Sequence, residues 1–173
     1  MSNITISSFN CKGFVPRNYE YISKIFSKSD IVLLQEHWLY DYEFNKFKSV
    51  LTNCSYIAKS SMKNDIILSG RIFGGISILW KNSLNFNFEC IRTESYRLLA
   101  VKVLDTNIKL LLFCVYMPCN LSSNNDEFVE ILTEIIGLCS KFDDYDIIVG
   151  GDFNCNKFSK DVRYDIFIAF SLI

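Results

Sequence analysis

The chain has 173 residues, 50% hydrophobic and 15% aromatic, enough for one domain with a substantial core. Its 18 basic and 19 acidic residues leave a net charge of −1, which excludes an overall basic coat for nucleic acid. No apolar run approaches the roughly 18 to 20 residues that span a bilayer, and "MSNITISSFN" lacks the basic start and long apolar stretch of a secretory leader.

The elements follow in chain order. "ITISSFN" alternates and is β-branched, so Ile4–Asn10 is predicted as a strand. Tyr19, Ile22, Ile25 and Phe26 recur at helical spacing and predict an amphipathic helix over Asn18–Lys28. "DIVLLQE" is a continuous apolar run of the sort buried on both faces of a sheet. A helix over Asp41–Leu51 and a strand over Cys54–Lys59 come next. Four β-like stretches then lie close together, at Gly75–Lys81, Phe86–Arg92, Tyr96–Leu104 and Ile108–Met117. Their short connections, "NSLN" and "DTN", predict antiparallel neighbours in a meander. Phe128, Ile131, Leu132, Ile135 and Leu138 form another helical stripe, with Asn124 and Glu127 resembling an N-terminal cap. "DIIVGG" is the last clear strand, and Tyr164–Ile173 begins a helix.

Strand–helix alternation at both ends of a β-meander predicts a mixed α/β layered fold in a single domain over residues 1–173. A purely parallel dinucleotide-binding sheet is disfavoured, because no GxGxxG follows the first strand. The seven cysteines are odd in number and include no CxxC pair. They argue against a disulfide framework or zinc site and for thiols in a reducing compartment. The expectation is a soluble, intracellular monomer that makes no membrane contact.

Polar residues stand where three predicted strands end: Asn10, Glu36, and Asp152 with Asn154. In open α/β sheets, sites form beyond the carboxyl ends of strands. If these ends lie side by side, two carboxylates and two amides converge in a hard oxygen shell suited to Mg2+ or Mn2+. Any one such acid is more often an ordinary solvated strand end, and only the repetition raises it above that. The pair Gly150-Gly151 would let the backbone bend and a substrate phosphate approach. His37, the only histidine, could be a ligand or an acid/base beside Glu36, but with no second histidine it is expected to be a structural or partly exposed side chain. Neither a GxSxG elbow nor a P-loop is present.

Four stretches in order, "SSFNCKGF", "IVLLQEHWL", "LLFCVYMP" and "IIVGGDFN", resemble the endonuclease/exonuclease/phosphatase superfamily of DNase I-like enzymes. "QEHWL" and "GRIFGGISILWK" (70–81) are most similar to the endonuclease domain of non-LTR, LINE-type retrotransposons. The resemblance implies a layered α/β sandwich of the DNase I-like type, with mixed, largely antiparallel sheets. It implies Mg2+-assisted phosphodiester hydrolysis, with Mn2+ as the other ion such a shell accepts, and DNA as substrate. Glu36 would be the principal metal ligand, and Asn10 would help hold the metal or the phosphate. Tyr116 would hydrogen-bond the scissile phosphate. Asp152 would activate or orient the attacking water, and Asn154 would fix the phosphate or that water. Arg71 would contact the DNA backbone. For a retrotransposon endonuclease the location would be nuclear, and the partner a reverse transcriptase of the same element.

The resemblance also carries a departure. The family's late Ser-Asp-His segment has no counterpart in "CNKFSKDVRYDIFIAFSLI", so the chain is expected to be the N-terminal portion of the domain, weak or inactive alone. Two alternatives stand beside the nuclease. One is a non-catalytic remnant that binds nucleic acid or a partner, and the other is a phosphatase of the same fold acting on a small molecule.

Overall fold

The computed structural model describes residues 3–62, 73–105, 108–119, 125–155 and 162–170. It contains two four-stranded sheets flanked by helices. The first half runs β1 (Ile6–Asn10), α1 (Pro16–Lys28), β2 (Ile31–Gln35), a 3-10 turn at Asp41–Glu43, α2 (Asn45–Val50), β3 (Cys54–Lys59) and β4 (Ile76–Lys81). The second runs β5 (Asn87–Ile91), β6 (Leu98–Asp105), β7 (Ile108–Tyr116), α3 (Asn125–Lys141), β8 (Asp146–Asp152) and α4 (Val162–Phe170).

Sheet A has the order β1-β2-β4-β3 and sheet B the order β5-β6-β7-β8. Each holds one parallel pair, β1 with β2 and β7 with β8, and its other pairings are antiparallel. The meander is shorter than the sequence predicts. β5, β6 and β7 form it, while β4 leaves to pair with β2 and β3 in the other sheet. The short "NSLN" link therefore crosses between sheets, because the apolar residues of β4 are needed on both faces of sheet A.

Period-two alternation sorts these strands into four layers. Ile31, Leu33, Ile76 and Ile78 face inward and meet Val101 and Leu112 of sheet B. Val32, Leu34 and Leu79 face outward onto Ile22 and Phe26 of α1 and Phe47 of α2. On the far side, Ala100, Leu111 and Phe113 pack against Phe128, Ile131 and Ile135 of α3. β2 is buried at all five positions, as its unbroken apolar run predicts.

Helix α1 begins two residues before the predicted start, with Pro16 in its first turn, where the fixed φ of proline suits the helix and its missing N–H costs nothing. The predicted helix over Asp41–Leu51 divides into the 3-10 turn and α2, because Glu43 folds back to accept the Tyr40 N–H at 3.0 Å. The expected cap at Asn124 lies outside the described residues. All seven cysteines are unbridged. Among the described residues no helix is long and apolar enough to cross a membrane.

Candidate active site

The carboxyl ends of both parallel pairs point to the same place. Asn10 ends β1, Glu36 follows β2, Tyr116 ends β7 and Asp152 ends β8. In the register, Asn10 is paired with Gln35 and Tyr116 with Asp152. Packing the two sheets face to face brings these ends together at one mouth of the sandwich.

Asn10 joins the sheets. Its Nδ2 donates to Glu36 Oε1 at 2.7 Å and to Asp152 Oδ2 at 2.8 Å, across 142 residues of chain. The second Glu36 oxygen accepts the Trp38 indole N–H at 3.2 Å. Asp152 Oδ1 accepts the Asn154 backbone N–H at 3.1 Å, and Asn154 Nδ2 donates to the Met117 carbonyl at 2.7 Å. The Tyr116 hydroxyl lies against the Glu36 carboxylate and Cys119. Burial, then the charge on Glu36, raises its pKa well above the ordinary tyrosine value, so it holds its proton at neutral pH.

Sharp local backbone aims these groups. Lys12, Glu36, Trp38 and Asn154 all take positive φ, a conformation that non-glycine residues adopt only when surrounding bonds enforce it. Those bonds are visible: Gly13 N–H to the Glu36 carbonyl at 2.7 Å, Phe14 N–H to the His37 carbonyl at 2.8 Å, and Met117 N–H to the Asp152 carbonyl at 2.9 Å.

The structure thus brings together Asn10, Glu36, Tyr116, Asp152 and Asn154. Arg71 lies outside the described residues. Gly150 serves packing: a Cβ there would come 2.5 Å from Leu33 Cδ1, so glycine lets β8 close against β2.

His37 follows Glu36 in sequence but turns away into the core. It is fully buried, with Nδ1 accepting the Leu39 N–H at 3.0 Å and Nε2 donating to the Lys59 carbonyl at 3.1 Å. Burial lowers its pKa to about 4, so it stays neutral. The structural expectation for His37 agrees with this geometry.

Two further residues support the pocket. Trp38, in the "QEHWL" stretch, orients Glu36 through its indole N–H. Arg97 stacks on the Tyr116 ring, 5.3 Å from its centroid, and pairs with Glu127 at 3.0 Å. The sequence alone does not single out Arg97, because its place opposite Tyr116 follows from the β6–β7 register extended one step.

The Glu36–Asp152 pair is all oxygen, and turning the Asn10 amide end for end would add a third oxygen. That donor set fits a hard divalent cation, because Mg2+ is commonly held by one or two carboxylates and completed by substrate phosphate. Among the described residues no group of three or more His, Cys, Asp or Glu converges, so the protein's own ligands to such an ion would be few.

Four layers with a polar pocket where both parallel pairs end define a DNase I-like α/β sandwich. The chain belongs to the Endonuclease/Exonuclease/phosphatase family, whose sequence profile matches residues 7–167. Solved structures share the fold at low identity. A humanized D. rerio TDP2 matches at 19% identity and a TM-score of 0.68, over 94% of this chain and 65% of that one. The endonuclease domain of TRAS1, a telomere-specific non-LTR retrotransposon, matches at 14% and 0.66, over 96% and 70%. A mannosyl-6-phosphatase of Bacteroides thetaiotaomicron matches at 17% and 0.65, over 96% and 70%. The chain therefore spans about two thirds of the length of these structures. No curated protein matches it.

Proposed function

We propose that the chain is the metal-dependent phosphodiesterase portion of a DNA-nicking endonuclease of the non-LTR retrotransposon type. The observation that carries the reading is the Asn10 amide bridging Glu36 and Asp152, with Tyr116 on Glu36. The motif resemblance and the likeness to the TRAS1 endonuclease domain support DNA as substrate.

Glu36, with Asn10, would hold Mg2+, which when bound supplies charge neutralisation at the phosphate and leaving oxygen. The remaining work falls to side chains. Asp152 accepts or orients the proton of an attacking water, held in place by the Asn154 N–H. Tyr116 donates its retained proton in a hydrogen bond to a phosphate oxygen as charge develops there. Asn154, tied to the Met117 carbonyl, fixes the position of the phosphate or the water. Arg71 would contact the DNA backbone, and a cut strand would offer its 3′ end to a reverse transcriptase of the same element, in the nucleus.

The chain's single histidine is committed to the core and does not reach the pocket. Activity is accordingly expected to be low. Plasmid nicking with Mg2+, comparing wild type with Glu36→Ala and Asp152→Ala, tests the reading, and a chain extended by a histidine-bearing segment should nick faster. Nicking that survives both substitutions would refute it. A phosphomonoesterase is the second reading, favoured by the likeness to the mannosyl-6-phosphatase. Preference for a sugar phosphate over a phosphodiester would select it.

A further inference from the structure

The segment leaving Glu36 places aromatic residues at alternate positions, Trp38, Tyr40 and Tyr42. Trp38 is tied to the Glu36 carboxylate. The Tyr40 and Tyr42 rings lie nearly parallel, tilted by 10° with centroids 5.4 Å apart. Tyr42 is 71% exposed, more than any other large hydrophobic side chain among the described residues. Its ring is packed offset against Tyr40, and most of its surface is open to solvent.

The location is fixed by hydrogen bonds. The His37 and Trp38 N–H groups donate to Gly75 and Gly74, just before β4 begins. The Leu39 carbonyl accepts from the Ser60 hydroxyl, just past the end of β3, at 2.8 Å. These are the strand ends that share the site mouth of sheet A. The Tyr40 N–H is held by Glu43, so the 3-10 turn carrying Tyr42 is fixed there too.

We propose that Tyr42, backed by Tyr40, is a stacking platform for an unpaired nucleobase next to the phosphate held in the Glu36 pocket. The proposal rests on the phosphodiesterase reading above. A ring already held in one orientation loses little freedom when a base stacks on it, and every base offers a π-face. A base inside a duplex does not, so the platform selects single-stranded or locally opened strands.

Binding of a fluorescein-labelled single-stranded oligodeoxynucleotide, followed by anisotropy in EDTA, tests this beside a strand of equal length whose sugars carry no bases. Tyr42→Ala should weaken binding of the base-bearing strand by about tenfold and of the abasic strand by less than about twofold. Tyr42→Phe should bind both as wild type does. Equal weakening on both strands, or none on either, overturns the platform. The same holds if wild type fails to prefer the base-bearing strand. Plasmid nicking by wild type against Asp152→Ala keeps the two readings separate. A stacking signature with no nicking even from the chain extended by a histidine-bearing segment rejects the phosphodiesterase, while nicking without the signature rejects only the platform.

Discussion

β1 and β2 form the parallel pair of one sheet, β7 and β8 that of the other, and the pocket lies where both pairs end. In the first pair, loops do the positioning: residues 11–14 are laced by backbone bonds to residues 35–37, which hold Glu36 and Trp38 at positive φ. In the second, polar side chains cap the backbone: Asp152 accepts the Asn154 N–H and Asn154 donates to the Met117 carbonyl, beside one backbone bond from Met117 N–H to the Asp152 carbonyl. Burial differs as well. β2 is fully enclosed, whereas β8 lies at the edge of its sheet and exposes Ile147 and Ile148. Two parallel pairs thus bring their polar ends to one place, the first with more backbone bonds between its loops and the second with side-chain caps on an open edge.

The largest expected effect breaks this comparison if the two pairs do not contribute alike. Glu36→Ala and Asp152→Ala should each lower Mg2+-dependent nicking by about 10²–10⁴-fold, the usual cost of removing a group that acts in the transition state. Circular dichroism should be unchanged, because neither side chain is in the apolar core. Loss from Glu36→Ala alone would place the chemistry on the first pair only.

Much of this was legible in the sequence, and unevenly so. The strands bearing Asn10, Glu36 and Asp152 were readable because their apolar runs end abruptly in polar residues. The partition of four β-like stretches between two sheets was not, because the short link after β4 reads as a hairpin turn and only packing sends β4 to β2 and β3. The convergence of Asn10 with Asp152 could not be read from spacing, since 142 residues separate them and sheet packing alone closes the gap. The pair Gly150-Gly151 is expected to let the backbone bend, and the packing role of Gly150 was not legible beside that, because it depends on where Leu33 lies.

The next effect concerns the residue beside Glu36. Folding lowers the His37 pKa to about 4, from an ordinary value near 6.5 in the unfolded chain. The unfolded state therefore takes up the proton first as pH falls. Stability is complete above about pH 6.5 and drops by about 3 kcal/mol as pH falls through that value to about 4. Urea melts at pH 7 and pH 4.5 read this loss, and His37→Gln should flatten the slope across that window. An unchanged slope would mean that the imidazole is solvated and the first pair less rigid than described.

Smaller still is the cost of filling the contact between the pairs. Gly150→Ala would push a methyl into Leu33 and should destabilise by about 1–3 kcal/mol, measured as a shift in denaturation midpoint. Leu33→Ala alone should cost about 2–5 kcal/mol. Combined, the two should cost less than their sum, because the added methyl enters space that the smaller side chain vacates. Simple additivity would show that β8 does not rest on β2 at this point.

The smallest effect sharpens the contrast in burial. Ile147 is 43% exposed on β8, and Leu33 is 1% exposed on β2, though both lie in apolar runs that end at the pocket. Ile147→Thr keeps the β-branched shape and removes apolar surface that is partly in water already, so it should move stability by no more than about 0.5 kcal/mol. The midpoint of thermal unfolding should barely shift, while nicking and strand binding stay at wild-type levels. A loss comparable to that of Leu33→Ala would mean that the β8 edge is covered in solution, and a concentration-dependent midpoint would then identify the cover as a second copy of the chain. Without such a loss, the two strands differ as their burial indicates: β2 holds the core together, and β8 supplies Asp152 from an edge that contributes little to stability.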